Sequence, residues 1–164
     1  ISLPKAEDLI KSLKLEPHIE GGFFREIYRS PESFDFGEGY NGKRNLFTHI
    51  YFMLRDCDIS RFHRLKSDEF WHFYSGGRLE IHTLNENSGY KKYFLGNTAS
   101  DGEKFCILLE KDTWFAASPA GGSDYSLVGC TVVPGFDFKD FELAGEKNLC
   151  EKFPAHSDII EKFT

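Results

Sequence analysis

Apolar and polar positions alternate in steps of two through most of this chain, the period at which successive side chains leave opposite faces of a strand. Residues 23–29 alternate Phe24, Glu26 and Tyr28 with Phe23, Arg25 and Ile27. Residues 70–74 put Glu69, Trp71 and Phe73 on one face and Phe70, His72 and Tyr74 on the other, so Glu69 and His72 should diverge. Residues 45–55 are almost continuously apolar or aromatic, which predicts a strand covered on both faces, as in a sandwich or at a dimer interface. Gly76-Gly77 turns the chain into 78–84, Asn85 to Gly89 turns it again into 90–95, and together these make a meander. A polar loop follows at 97–104, then strands at 105–110, 113–118 and 125–133. Short strands with glycine-containing turns at near-regular spacing define an all-β sandwich or barrel.

The ends break this period. Residues 4–14 read as a helix packed outside a sheet, with Pro4 near its first turn, Glu7 and Asp8 at its positive end, and Leu9, Ile10 and Leu13 as the apolar stripe. Residues 30–44 hold Pro31, three glycines and several acids without a period, so they form a loop longer than the usual ~4 to 6 residues. Beyond Pro134-Gly135, residues 136–143 set Phe136, Phe138 and Phe141 among acids, as expected of a segment laid over a barrel or across a partner subunit. From Glu146 a helical period is interrupted at Pro154, and Ser157 is placed to cap a last short helix.

Composition narrows the class. At 164 residues the chain fits one domain, 1–164, with its core at about 15–143, and it can bury about two-thirds of its unfolded surface. Seventeen Phe against one Met favours pleated surfaces over helices. The formal charge of -6, with scattered Lys and Arg, argues against nucleic acid as partner. No apolar run approaches the ~18 to 20 residues of a membrane span, and no signal-peptide order opens the chain, although Ile1 in place of Met leaves room for a trimmed leader. The four cysteines, Cys57, Cys106, Cys130 and Cys150, lack C-x-x-C spacing and read as reduced thiols of a cytoplasmic protein.

Chemistry concentrates between Ser60 and Gly76, where imidazoles, carboxylates and large aromatics meet. His63 can act as a general acid or base, since an imidazole pKa near ~6.5 suits neutral pH, and Glu69 can orient it or share its proton. Trp71, Phe73, Trp114 and Phe136 are the candidate walls of a binding pocket. Glu69 is the reason for reading a pocket there, because a carboxylate is costly to bury unpaired. Cys130, in an apolar strand, reads as an inert buried thiol.

The same stretch resembles the cupins, whose first motif reads H-x-H, three or four residues, E, six residues, G. His63, Glu69 and Gly76 fit it, with Leu65 where a second histidine belongs, and Phe115 stands where the second motif places its last histidine. Three runs sharpen the match towards the fifth cupin family, long described as a domain of unknown function: Pro17-His-Ile-Glu20-Gly-Gly-Phe-Phe24-Arg25-Glu26, the His63 to Gly76 stretch, and Val128-Gly-Cys130-Thr-Val-Val-Pro134-Gly-Phe136-Asp-Phe138. The resemblance implies a jelly-roll barrel, expected here as a homodimer, with a small polar ligand such as a sugar, nucleotide or keto acid in its mouth. It also brings the metal-free sugar-nucleotide epimerases of the wider superfamily into view, where a barrel histidine removes a proton beside a keto group. With two of four family ligands missing, no cofactor is expected. The alternatives are a metal-dependent cupin with a divalent ion on His63 and Glu69, and a binding module without catalysis.

Overall fold

The computed structural model describes residues 3–164. After helix α1 (Ala6–Leu13), the chain runs through strands β1 (Glu16–Pro17), β2 (Phe23–Arg29), β3 (Ser33–Phe34), β4 (Arg44–Asn45), β5 (Thr48–Arg55), β6 (Ser60–Arg64) and β7 (Asp68–Gly76). It continues through β8 (Leu79–Asn85), β9 (Gly89–Leu95), β10 (Cys106–Leu109), β11 (Trp114–Pro119), β12 (Tyr125–Val133) and β13 (Glu142–Leu143), and then helices α2 (Glu146–Lys152) and α3 (Ser157–Lys162). A six-stranded sheet, ordered β1-β2-β5-β12-β7-β10, faces a five-stranded sheet, ordered β13-β6-β11-β8-β9. Pairings within both are antiparallel. This is the jelly-roll barrel expected from the strand rhythm.

Period two sorts the core. Phe52, Leu54, Trp71, Ile81, Phe115, Ala117, Val128 and Cys130 form a buried cluster between the sheets. Their neighbours in sequence point outward and are covered separately. Met53, Tyr125 and Leu127 pack with Ala6 and Leu15 of the α1 region, and Leu9, Ile10 and Leu13 lie against them, so the amphipathic helix does lie outside a sheet. Phe62, Leu84, Trp114 and Ala116 are buried with Leu149, Ile160 and Phe163 of the C-terminal segment. That segment also completes the hydrogen bonding of β6, since Phe62 N donates to Phe163 O and Ala144 N donates to Phe62 O, each at 2.9 Å.

Three local expectations need correction. The 30–44 segment is not wholly irregular, because Ser33 and Phe34 pair with Asn45 and Arg44; pairs of two residues are too short to leave a period. The strand expected at 45–55 is divided, with Asn45 in β4 and β5 starting at Thr48. Ser157 does not cap the last helix but is its first residue, and the N-cap position falls on His156 without a side-chain bond.

Candidate functional site

The site is built where the loop before β2 meets the mouth of the barrel. His18 N donates to Gly22 O at 2.9 Å and Gly21 N to His18 O at 3.1 Å, closing a tight turn. Gly21 has φ +114° and lies directly against the carbonyl of Ile59, so a side chain there would be strained and would collide with backbone. The turn thereby presses Glu20 against β6, and Arg61 N donates to Glu20 O at 2.9 Å. Glu20, only 6% exposed, brings Oε2 to 2.8 Å from His63 Nε2. The other ring nitrogen of His63, Nδ1, lies 2.7 Å from the carbonyl oxygen of Arg61. A carbonyl can only accept, so Nδ1 carries a proton. Glu20 N donates in turn to His18 Nδ1 at 3.1 Å, which leaves the His18 proton on Nε2 when the ring is neutral.

The electrostatics follow from burial and these contacts. Burial acts against charge on Glu20, but the charge and hydrogen bond of His63 more than reverse it, so the carboxyl stays below its usual range. Burial likewise disfavours a charged His63, yet the Glu20 charge and hydrogen bond outweigh it and hold the imidazole above its usual value. The two form a buried imidazolium–carboxylate pair. For His18, burial prevails and lowers the pKa despite Glu20.

Glu69, on β7 and 6% exposed, has no such partner. Burial raises its pKa, His63 opposes this and Glu20 adds to it, and the result is about 7. Among the described residues its Oε2 has no hydrogen-bond partner, and neither has the nearby indole Nε1 of Trp71. The Trp71 N–H and the Cys130 thiol are close enough to favour the charged carboxylate weakly, but without hydrogen-bond geometry. The result is a buried carboxyl poised to gain or lose a proton near neutrality, the property expected of a general acid or base.

His18, Glu20, His63 and Glu69 share one cavity with Thr48, Cys130 and an apolar lining of Phe24, Ile50, Leu65, Val132, Phe136 and Phe141. The free volume is about 40 Å³, enough for a few waters, since one water needs ~10 to 15 Å³ on this measure. Phe136 and Phe141 belong to the segment after β12, which lies over the mouth. Phe136 N donates to Thr48 Oγ1 at 3.0 Å and Arg29 Nη1 to Phe136 O at 3.0 Å. Asp140 receives two bonds from Arg44, Nε to Oδ2 at 2.6 Å and Nη2 to Oδ1 at 2.8 Å, with both side chains buried.

Of the residues singled out from sequence, His63, Glu69 and Phe136 line this cavity. Trp71 lies next along the inward face of β7 beyond Glu69, fully buried against Phe52 and Phe115, and Phe73 lies further along against the inter-sheet core. Trp114 is elsewhere. It projects from the outer face of β11 towards α2, with the Arg64 guanidinium 4.5 Å from its ring centre. Its neighbour Phe115 points inward, its ring centre 4.1 Å from that of His63, and strand alternation forbids both from doing so. His72 and His49 lie on the outer face of the six-stranded sheet, their rings 3.2 Å and 2.7 Å from Thr131 Oγ1. His82 contacts Tyr90 and Phe163 outside the five-stranded sheet. Sequence reasoning missed His18 and Glu20 as site residues. Their signal was a His-x-Glu ahead of Gly-Gly, two donors held together by a turn that only glycine can make.

The donor set does not fit a cupin metal. Both ring nitrogens of His63 are engaged, and the positions of two family ligands are the hydrocarbon side chains Leu65 and Phe115. Among the described residues no group of three His, Cys, Asp or Glu is arranged to hold a metal ion.

Fold and motif together define a cupin. The family pattern described as Cupin superfamily (DUF985) matches residues 7–144, and the chain belongs to that family. It is 28% identical over 156 residues to an uncharacterized protein of Saccharomyces cerevisiae, covering 87% of this chain and 77% of the yeast protein. A hypothetical protein from Leishmania major superposes with a TM-score of 0.92 at 34% identity, over 98% of this chain and 99% of that one. A protein of Shewanella oneidensis does so with 0.89 at 38% identity, over 99% and 98%. Among the described residues no helix is long and apolar enough to cross a membrane.

Proposed function

We propose that the protein binds a small polar ligand at the covered mouth of its barrel and moves a proton on it without a metal, as an isomerase or epimerase does beside a keto group. The observation that carries this reading is Glu69, a buried carboxyl with an unpartnered oxygen and a pKa of about 7. In this reading Glu69 takes or returns the proton. His63, held as an imidazolium by Glu20, opposes the rise of the Glu69 pKa and so keeps that carboxyl titrating near neutrality. The proton-transfer role first assigned to His63 thus passes to Glu69, because both nitrogens of His63 are committed.

The ligand class remains a sugar, nucleotide-sugar or keto acid, of which only the reacting end fits the cavity unless Phe136 and Phe141 move. A thermal-shift screen of such metabolites, followed by solvent deuterium exchange on each hit, tests the reading. Deuterium entering beside the carbonyl is the expected result. Tight binding with no exchange would replace this reading with that of a binding module.

His63→Gln separates the roles further. The glutamine amide reaches the place of Nε2 and still offers Glu20 a hydrogen bond but no charge, so the fold should persist at a cost of ~1 to 3 kcal/mol. Without the imidazolium the Glu69 pKa should move above about 7, read from the carboxyl ¹³C resonance. An unmoved Glu69 titration would remove His63 from the electrostatics of the site.

The chain is further proposed to work as a homodimer in a reducing, cytoplasmic setting as one cupin-like domain. The outer face of the six-stranded sheet exposes Tyr28, Phe70 and Tyr74, and the four cysteines are unpaired. Sedimentation equilibrium at micromolar concentration should return twice the chain mass, and a monomer would end the dimer proposal.

A further inference from the structure

We infer that the cavity admits the ligand's reacting end as an uncharged carbonyl- or hydroxyl-bearing group and excludes an anionic one, so that any carboxylate or phosphate of the ligand stays outside the Phe136–Phe141 cover. The inference rests on the reading of the barrel mouth as a ligand site and names what that site selects.

Its basis is the charge inventory of the enclosed space. Among the described residues the titratable groups facing it are His18 and Glu20 from the turn before β2, His63 from β6, Glu69 from β7 and Cys130 from β12, and no Lys or Arg lines it. The Glu20 carboxylate and the His63 imidazolium, 2.8 Å apart, cancel one another. Burial keeps the Cys130 thiol protonated and His18 uncharged near neutral pH. The only charge left over is that of Glu69, and it is negative. An entering carboxylate or phosphate would give up its water, find no unpaired cation, and stand beside two carboxyl groups in a space otherwise walled by hydrocarbon and phenyl rings. Burying a charge without a partner is among the largest penalties a protein can meet.

A neutral oxygen meets the opposite situation. Protonated, Glu69 donates to a carbonyl; ionised, it accepts from a hydroxyl or amide N–H. Each protonation state of Glu69 therefore has an uncharged group that satisfies it. The free volume of about 40 Å³ restricts that group to a few heavy atoms.

Acetamide and acetate have the same shape and differ in charge, and both are small enough to enter. The test titrates each into the full chain at pH 8, with Glu carboxyl carbons labelled with ¹³C, and follows the resonances of Glu20 and Glu69. Acetamide should shift them saturably, with acetate at least tenfold weaker. In Glu69→Gln, which removes the surplus negative charge, acetate binding should gain at least tenfold relative to acetamide. Acetate binding as well as acetamide in the wild type overturns the charge inference and leaves the ligand site standing. A Glu69→Gln variant that still excludes acetate overturns the role given to Glu69. If neither compound moves the site resonances, the ligand-site reading fails and this inference falls with it.

Discussion

Replacing Glu69 by glutamine should lower the rate of ligand proton exchange by ~10²-fold or more and, at the same time, stabilise the protein above neutral pH. The second effect follows from linkage. Glu69 titrates at about 7 in the fold against an ordinary glutamate value of 4.5, so its folded pKa is raised. A raised carboxyl leaves stability intact below the unfolded pKa and subtracts from it as pH climbs from about 4.5 through about 7. The difference corresponds to ~3 kcal/mol at most. Chemical denaturation should therefore find Glu69→Gln close to wild type at pH 4 and more stable by up to that amount at pH 8. A variant equally stable, relative to wild type, at both pH values would mean that Glu69 titrates normally and has no claim to the proton-transfer role.

The second large effect is expected at Asp140. Its carboxylate receives the bidentate contact from Arg44 with both side chains almost wholly buried. Asp140→Ala leaves the guanidinium enclosed with only the carbonyls of Asn41, Gly42 and Lys43 as acceptors. Removing one member of a buried pair costs ~3 to 5 kcal/mol, which urea denaturation resolves easily. The same substitution unpins the segment bearing Phe136 and Phe141, so the Glu69 carboxyl should become wetter and its pKa should fall from about 7. Loss of stability with no change at Glu69 would show that the ion pair supports the fold without shaping the cavity.

How far the sequence disclosed this arrangement depends on the range of the interactions involved. Strands were legible because alternation is local. The same rule put Glu69, Trp71 and Phe73 on the inward face of β7 and turned His72 away. It also contained the correction for Trp114, since Phe115, which stands at the position of the missing cupin ligand, and Trp114 cannot both face inward. The Phe136 to Leu143 segment announced itself by carrying three phenylalanines among acids, and two of them do cover the mouth. Glu20 was hidden for a different reason. Its partner His63 is 43 positions further on by residue number, and nothing in the spacing of either residue specifies the other. The close approach of Gly21 to Ile59 and the bond from Arg61 N to Glu20 O join them. The Arg44–Asp140 pair was hidden in the same way, with one member inside an apparently patternless loop.

The C-terminal segment has a consequence for how much of this chain can be treated as the barrel. Phe62 spends its backbone N–H on Phe163 and its carbonyl on Ala144, and the outer face carrying Phe62, Trp114 and Ala116 is buried under Leu149, Ile160 and Phe163. A chain ending after Leu143 would keep every residue of the cavity. It would also uncover a strand edge with unpaired amide groups beside a contiguous apolar surface, the combination that templates edge-to-edge association between molecules. The two short helices therefore act as a guard against self-assembly of the very strand that carries His63.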